Sequence, residues 1–247
     1  TVVEKILAHG EELPAWPVAG TSGYDFLARV GQLFVDQRGE QAMTDCYVEA
    51  TGAESDFATV ARDAKRYVMA RELVAEVDRA TELLAQVCDG HRRHRDHTRR
   101  DLRAAVTELI AGLDVYRTYW RPGQPPRWAD VEVLERARDR AAEARPDIDG
   151  ELLGFLTDVA AGRGAEGLEQ ELCLRFQQLS SPVMAKGVED TAFYRYHRLI
   201  SLNEVGDDPG TFGQGPDAFH AASAATASRW PDTMLTLSTH DTKRSAD

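Results

Sequence analysis

Two carboxylic acids stand near opposite ends of this 247-residue sequence: Glu4 in VVEKILA and Asp241 in STHDTKR. Chemistry at a glycosidic bond needs paired carboxyl groups, one of them protonated to donate to the leaving oxygen. Glu4 sits between valines and Ile6, where an apolar pocket would favour its neutral form. Asp241 lies between His240 and the cations Lys243 and Arg244. There it would stay ionised and could stabilise positive charge developing on a sugar carbon. Each acid also has a plainer reading. Taken alone, Glu4 reads as a strand residue facing solvent, and His-Asp-Thr reads as an ordinary helix cap.

A third chemically dense stretch is SSPVMAKGVEDTAFYRYHRLISLNEVGDDP, Ser180 to Pro209. It mixes Lys186, Glu189, Asp190, Arg195, His197, Arg198, Asn203, Glu204, Asp207 and Asp208 with aromatic residues, and no single period runs through it. His91, His94 and His97 recur every three residues, but no further ligand pattern supports a metal site. No phosphate-binding glycine loop and no G-x-S-x-G elbow occurs.

The elements that must hold these residues are mostly helical. Val2 to Ala8 reads as a short buried strand, followed by a Gly- and Pro-rich loop. Thr21 or Ser22 can cap a helix beginning near Tyr24. Helical period then continues to Leu179. One helix carries Phe26 to Phe34, a second Met43 to Val48, and a third, capped by Ser55, runs to Val87 and breaks at Gly90. Leu102, Val106, Leu109, Ile110, Leu113 and Tyr116 form an amphipathic stripe. RPGQPPR is a loop, and helices follow at 131–144, 151–161 and 168–179. NEVGDDPGTFGQGPDAF reads as a string of turns, then comes a helix from Asp217 to Ala227 and a second buried strand from Asp232 to His240. Two strands separated by helices suggest part of a parallel α/β fold, whose chemistry sits at C-terminal strand ends.

Composition narrows the function classes. With 43% hydrophobic and 8% aromatic residues the chain is globular. Its net charge of −12 argues against non-specific binding to nucleic acid or anionic membrane. The basic run from His91 to Arg95, with Arg99 and Arg100, reads as a solvated hinge between helices. Three widely spaced cysteines, Cys46, Cys88 and Cys173, fit free thiols in a reducing compartment, so a cytoplasmic location is expected. No apolar run is long enough for a membrane span, and no signal peptide opens the chain. The first residue is Thr1, not Met, and both ends cut into dense motifs, so the chain is expected to be an excerpt of a longer protein.

VVEKIL with the following GEELP, then GTSGYDFL, PVMAKGVEDTAFYRY, RLISLNEVGDDP and STHDTKRSAD, together resemble the maltooligosyl trehalose synthase family of the α-amylase superfamily. The resemblance covers both ends and the dense segment after Ser180. The helical middle is compatible with the family's large helical insertion but is less diagnostic. It implies a mostly α chain with a few strands, an excerpt of an α-amylase-type (β/α)8 barrel carrying that insertion. The implied organisation is a barrel strand and loop at 1–22, the insertion at 23–179, and an active-site segment, helix and barrel strand at 180–247.

The implied reaction converts the reducing-end α-1,4 bond of a maltooligosaccharide into an α,α-1,1 bond. It proceeds by retaining intramolecular transglycosylation and uses no cofactor or metal. The implied partner is the α-glucan substrate. By the resemblance, Glu4 matches the general acid/base, Asp241 the carboxylate that stabilises the transition state, and His240 a sugar-binding histidine. Lys186 and Glu189 match reducing-end subsites, with Tyr24, Asp25, Arg195 and Tyr196 as further wall residues. The superfamily's nucleophilic Asp precedes the acid/base, and only Thr1, Val2 and Val3 precede Glu4 here. The isolated chain is therefore expected to lack synthase activity. Two other readings stay open: another amylase-type hydrolase or glucanotransferase, and a non-catalytic helical binding module.

Overall fold

The structure is a computed structural model that describes residues 1–244. Its α-helices, in chain order, are α1 (Tyr24–Leu33), α2 (Glu40–Thr51), α3 (Phe57–Arg71), α4 (Val74–Asp89), α5 (Arg99–Ala111), α6 (Trp128–Ala144), α7 (Gly150–Ala160), α8 (Gly167–Met184) and α9 (Pro216–Arg229). The chain divides into two units. One is Ala61–Val188; the other joins Thr1–Val60 to the segment from Glu189 onward.

In the helical unit the apolar stripes meet as their spacing requires. Leu102, Val106, Leu109 and Ile110 of α5 are buried in one cluster with Leu84 and Val87 of α4, Leu134 of α6, Leu152 and Leu156 of α7, and Phe176 and Leu179 of α8. Local chemistry marks the starts. Thr98 and Asp101 form a reciprocal capping box on α5, and Asp149 accepts from the Glu151 amide at 2.7 Å to cap α7. The loop at 121–127 is present, and the indole of Trp120 donates into it at the Gln124 carbonyl (2.9 Å). Two expected details differ. The single helix from Ser55 to Val87 is two helices, broken at Leu73, where ψ is 28°. The cap of α3 is Asp56, not Ser55: its carboxylate accepts from the Thr59 amide at 3.0 Å.

The hinge after α4 holds the three histidines. The ring of His94 stacks on Phe155 of α7 (4.3 Å, 17°) and on His97 (5.8 Å, 20°), while His91 pairs with Glu169 at 2.7 Å. Burial, with the neighbouring His97 and His91, holds the His94 imidazole below its usual value, against a weaker pull from Glu151 and Asp149. The folded state therefore prefers neutral His94. That contribution is present above pH ~6.5 and is lost as the pH falls through the folded value. Imidazole titration by NMR should place His94 below an unfolded reference, and His94→Phe should weaken the acid-side loss of stability. An unshifted titration would contradict the packing argument.

The helical unit ends at the motif PVMAKGVED. Pro182 lies inside α8, where it lacks an amide to donate, and the helix widens into a π turn at Ala185–Glu189. Gly187 is needed there for space: a Cβ would come within 2.9 Å of the Lys65 backbone on α3. Lys65 itself is buried, and its ammonium donates to the Leu113 carbonyl at 2.5 Å. Burial lowers its pKa to about 8.

The other unit packs α1, α2 and α9 with long ordered loops. Phe26 of α1 meets Phe219 of α9 at 6.1 Å, and Arg29 donates to Thr226 at 3.0 Å. The buried Arg198 donates to the Pro209 carbonyl (2.8 Å) and to Glu40 (3.2 Å), under the ring of Phe212 at 4.9 Å.

Both expected strands are corrected here. Among the described residues the only pairing at 2–8 is an isolated parallel bridge between Val3 and Thr21. Residues 232–240 form no strand, and Met234, Leu235 and Leu237 are exposed. Instead, both segments lean on the turn around Thr21: Ser22 donates to the Val3 carbonyl (3.1 Å), and Met234 donates to the Thr21 carbonyl (3.2 Å). Gly23, at φ +96°, permits this approach, because a Cβ would lie 2.8 Å from the Met234 carbonyl oxygen. A strand needs a ladder of neighbours along its length, and three short segments sharing one contact point cannot extend one. The expectation of a mostly α chain holds, while the (β/α)8 barrel is not formed by these residues.

Candidate active site

Glu4 leaves the first segment pointing outward, because Lys5 is the residue turned inward, where it binds Glu11 at 2.6 Å. The side chain of Glu4 is 57% exposed, so the apolar pocket envisaged for it is absent. Its carboxylate is nevertheless held. The hydroxyl of the buried Tyr24, at the start of α1, donates to it at 3.3 Å and accepts from Thr239 at 3.0 Å. His240 lies next to this chain of hydrogen bonds, with Nε2 4.0 Å from the Glu4 carboxylate. Burial raises the Tyr24 pKa, partly offset by the Thr239 hydrogen bond, and the charges of Glu4 and Asp241 raise it further. Tyr24 thus lies within the electrostatic reach of both acids.

Asp241 belongs to a second, contiguous group. Lys243 donates its ammonium to Asp190 at 2.9 Å and to Asp241 at 3.3 Å. Burial would lower the Lys243 pKa, but the two carboxylates raise it. Glu189 is only 4% exposed. Burial, and then the charge of Asp241, push its pKa up to about 8 against the pull of Lys243, with Asp190 and Glu204 adding to the rise. Glu189 is therefore a neutral acid at pH 7, able to donate a hydrogen bond as well as accept one. Asp207, half-buried and bound by Gln32 at 2.6 Å, is raised to about 7, chiefly by desolvation.

Glu4, Tyr24, His240, Asp241 and Glu189 thus gather in one place. Asp25 accepts from Thr21 (2.8 Å) and pairs with Arg29 (3.2 Å), bracing the start of α1. Tyr196 is buried, packs edge-on to Tyr47 at 5.3 Å, and donates to the Ser55 carbonyl at 3.0 Å. Arg195 is exposed beside it, and Lys186 is exposed on the π turn. Ser245, Ala246 and Asp247 of the STHDTKRSAD motif lie outside the described residues. Sequence reasoning passed over Asp190, Glu204 and Thr239 as site residues. Acids inside apolar or Gly-rich turns, VED and NEVG, were the available signal. Among the described residues no cluster of His, Cys, Asp and Glu is arranged to hold a metal ion, and no helix is long and apolar enough to cross a membrane.

No family model matches the chain. It is 39% identical, over its full length, to a putative maltooligosyl trehalose synthase of Mycobacterium tuberculosis (strain CDC 1551 / Oshkosh), covering 30% of that relative. The solved maltooligosyltrehalose synthase of Arthrobacter ramosus superposes with a TM-score of 0.83 at 40% identity, over 99% of this chain and 29% of that one. A hypothetical maltooligosyl trehalose synthase of Sulfolobus tokodaii gives 0.70 at 26% identity, over 98% of this chain and 28% of that one. From end to end, the chain is similar to maltooligosyl trehalose synthases, and it spans 30% of the length of the curated relatives it matches.

Proposed function

We propose that this chain supplies one wall of the active site of an enzyme that turns the reducing-end α-1,4 bond of a maltooligosaccharide into an α,α-1,1 bond. The observation that carries the reading is the gathering of Glu4, Tyr24, His240 and Asp241 from opposite ends of the chain, next to the buried acid Glu189. Glu4 protonates the leaving oxygen and later takes a proton from the attacking hydroxyl. Tyr24 donates to Glu4 and orients it. Asp241, paired with Lys243, stabilises the oxocarbenium-like transition state. His240 contacts the sugar at the same point.

A retaining reaction also needs a nucleophile about 5 Å from the acid. We assign that carboxylate to the part of the relatives' length that this chain does not span. The released glucose has to stay, turn, and present its anomeric hydroxyl while water is kept out. Glu189, neutral at pH 7, suits that task as a hydrogen-bond donor to a sugar hydroxyl. Arg195, exposed, is a further wall residue, and Asp25 and Tyr196 support the wall through their own packing.

Incubating the isolated chain with maltopentaose should yield no trehalose-ended product, and appearance of that product would overturn the assignment of the nucleophile. In a longer protein that contains this chain, Asp241→Asn should lower kcat by about 10²–10³ and Glu4→Gln by about 10²–10⁴. Unchanged turnover in either variant would remove that residue from the mechanism.

A further inference from the structure

Glu204 follows a short 3-10 turn at Ile200–Leu202, in the sequence NEVG. Its neighbour Asn203 is fully buried and donates to the carbonyls of Phe193 (2.9 Å) and Tyr196 (2.5 Å), so the backbone at 203 is fixed. Glu204 is 7% exposed. One carboxylate oxygen accepts from the amides of Val205 (2.8 Å) and Lys243 (2.7 Å), and the other accepts from the amide of Arg244 (2.9 Å). Two consecutive backbone N–H groups of the Asp241 segment therefore converge on one buried carboxylate. That is the arrangement of a small anion nest, with a side chain as the anion.

We propose that Glu204 is a positioning residue that clamps residues 243 and 244 and thereby sets Asp241 and Lys243 in place. The segment needs such a clamp. Residues 232–240 have no strand ladder; they are tied at their start to Thr21, through Thr233 and Met234, and near their end to Tyr24, through Thr239. Beyond Thr239 the Glu204 carboxylate holds the main chain at Lys243 and Arg244. The Lys243 side chain then turns back to Asp190 and Asp241 from a fixed origin. A carboxylate is the right group because it offers two acceptor oxygens and no donor, and its charge strengthens each bond. An amide would replace one acceptor with an NH₂ that faces an N–H. The catalytic meaning of the clamp rests on the glucan reading of Asp241, whereas the clamp itself needs no glucan.

Amide exchange in the intact chain, followed by NMR, tests the clamp. With Glu204→Leu the Lys243 and Arg244 amides should exchange at least tenfold faster, while α5 amides keep their protection. With Glu204→Gln the loss should fall mainly on one of the two. In both variants the Asp241 carboxyl resonance should move toward its position in Lys243→Met, where the ion pair is gone. If α5 also loses protection in Glu204→Leu, the Gln variant decides. Unchanged exchange at 243 and 244 overturns the clamp. Faster exchange with an unmoved Asp241 resonance overturns the positioning role. Failure of the wild-type chain to bind maltotriose would count against the glucan reading and leave the exchange result standing.

Discussion

Raising the pH from 5 to 8 should lower the urea midpoint for the unit that carries Glu189 and Asp207. Glu189 is buried and Asp207 half-buried, and desolvation raises their pKa values from 4.5 and 3.8 to about 8 and about 7. Between the unfolded and folded values the folded protein keeps a proton that the unfolded chain has released. Stability therefore falls as pH rises through this window, and it levels off only well below pH ~4 and well above pH ~8. Each group contributes on the order of 1 kcal/mol per pH unit inside its own window. Glu189→Gln combined with Asp207→Asn should flatten the profile and raise stability at pH 8. The Asn carbonyl can still accept from Gln32 and from the Asp208 amide, as the Asp207 carboxylate does at 2.6 and 2.8 Å. A wild-type midpoint that is equal at pH 5 and pH 8 would mean that these carboxyls are solvated. The same burial that costs stability keeps Glu189 protonated at neutral pH, where the proposed site uses it as a donor.

Leu109→Ala should destabilise the helical unit by about 2–5 kcal/mol. Leu109 is fully buried in the cluster shared by α4, α5, α6, α7 and α8, so truncation leaves a cavity walled by several helices that cannot all close on it. Trp128, by contrast, is 73% exposed at the start of α6, and Trp128→Ala should stay within about 0.5 kcal/mol. Urea unfolding followed by far-UV circular dichroism reads both. Equal midpoints for the two variants would refute the assignment of the core. Neither substitution touches Glu4, Asp241 or Glu189, so stability and site chemistry can be read separately.

Helices α5 to α8 were legible in the sequence because their determinants are local. A 3.6-residue stripe, a Thr98/Asp101 box or an Asp149 cap acts within one or two turns of its own position. The resemblance carried by VVEKIL, GTSGYDFL and STHDTKR likewise pointed to Glu4, Tyr24 and Asp241, which do come together. The break at Leu73 and the cap at Asp56 went unread because neighbouring residues offered equally good local alternatives.

Tertiary structure alone decided the rest. Apolar, β-branched runs at 2–8 and 232–240 have strand composition, but strand formation depends on partners supplied from elsewhere, and among the described residues the main chains of both meet the turn around Thr21 and form no ladder. Asp25 and Tyr196 carry the chemistry of a sugar site, yet packing turned one toward Arg29 and the other into a cluster with Tyr47. Glu204 looked like one acid among many until the amides of Lys243 and Arg244 converged on it. The sequence by itself determined where helices run and which residue types could act on a sugar, since those follow from local spacing and side-chain chemistry. Only the fold decided which acids are buried, which are paired and which face each other, because burial and charge proximity depend on residues far apart in the chain.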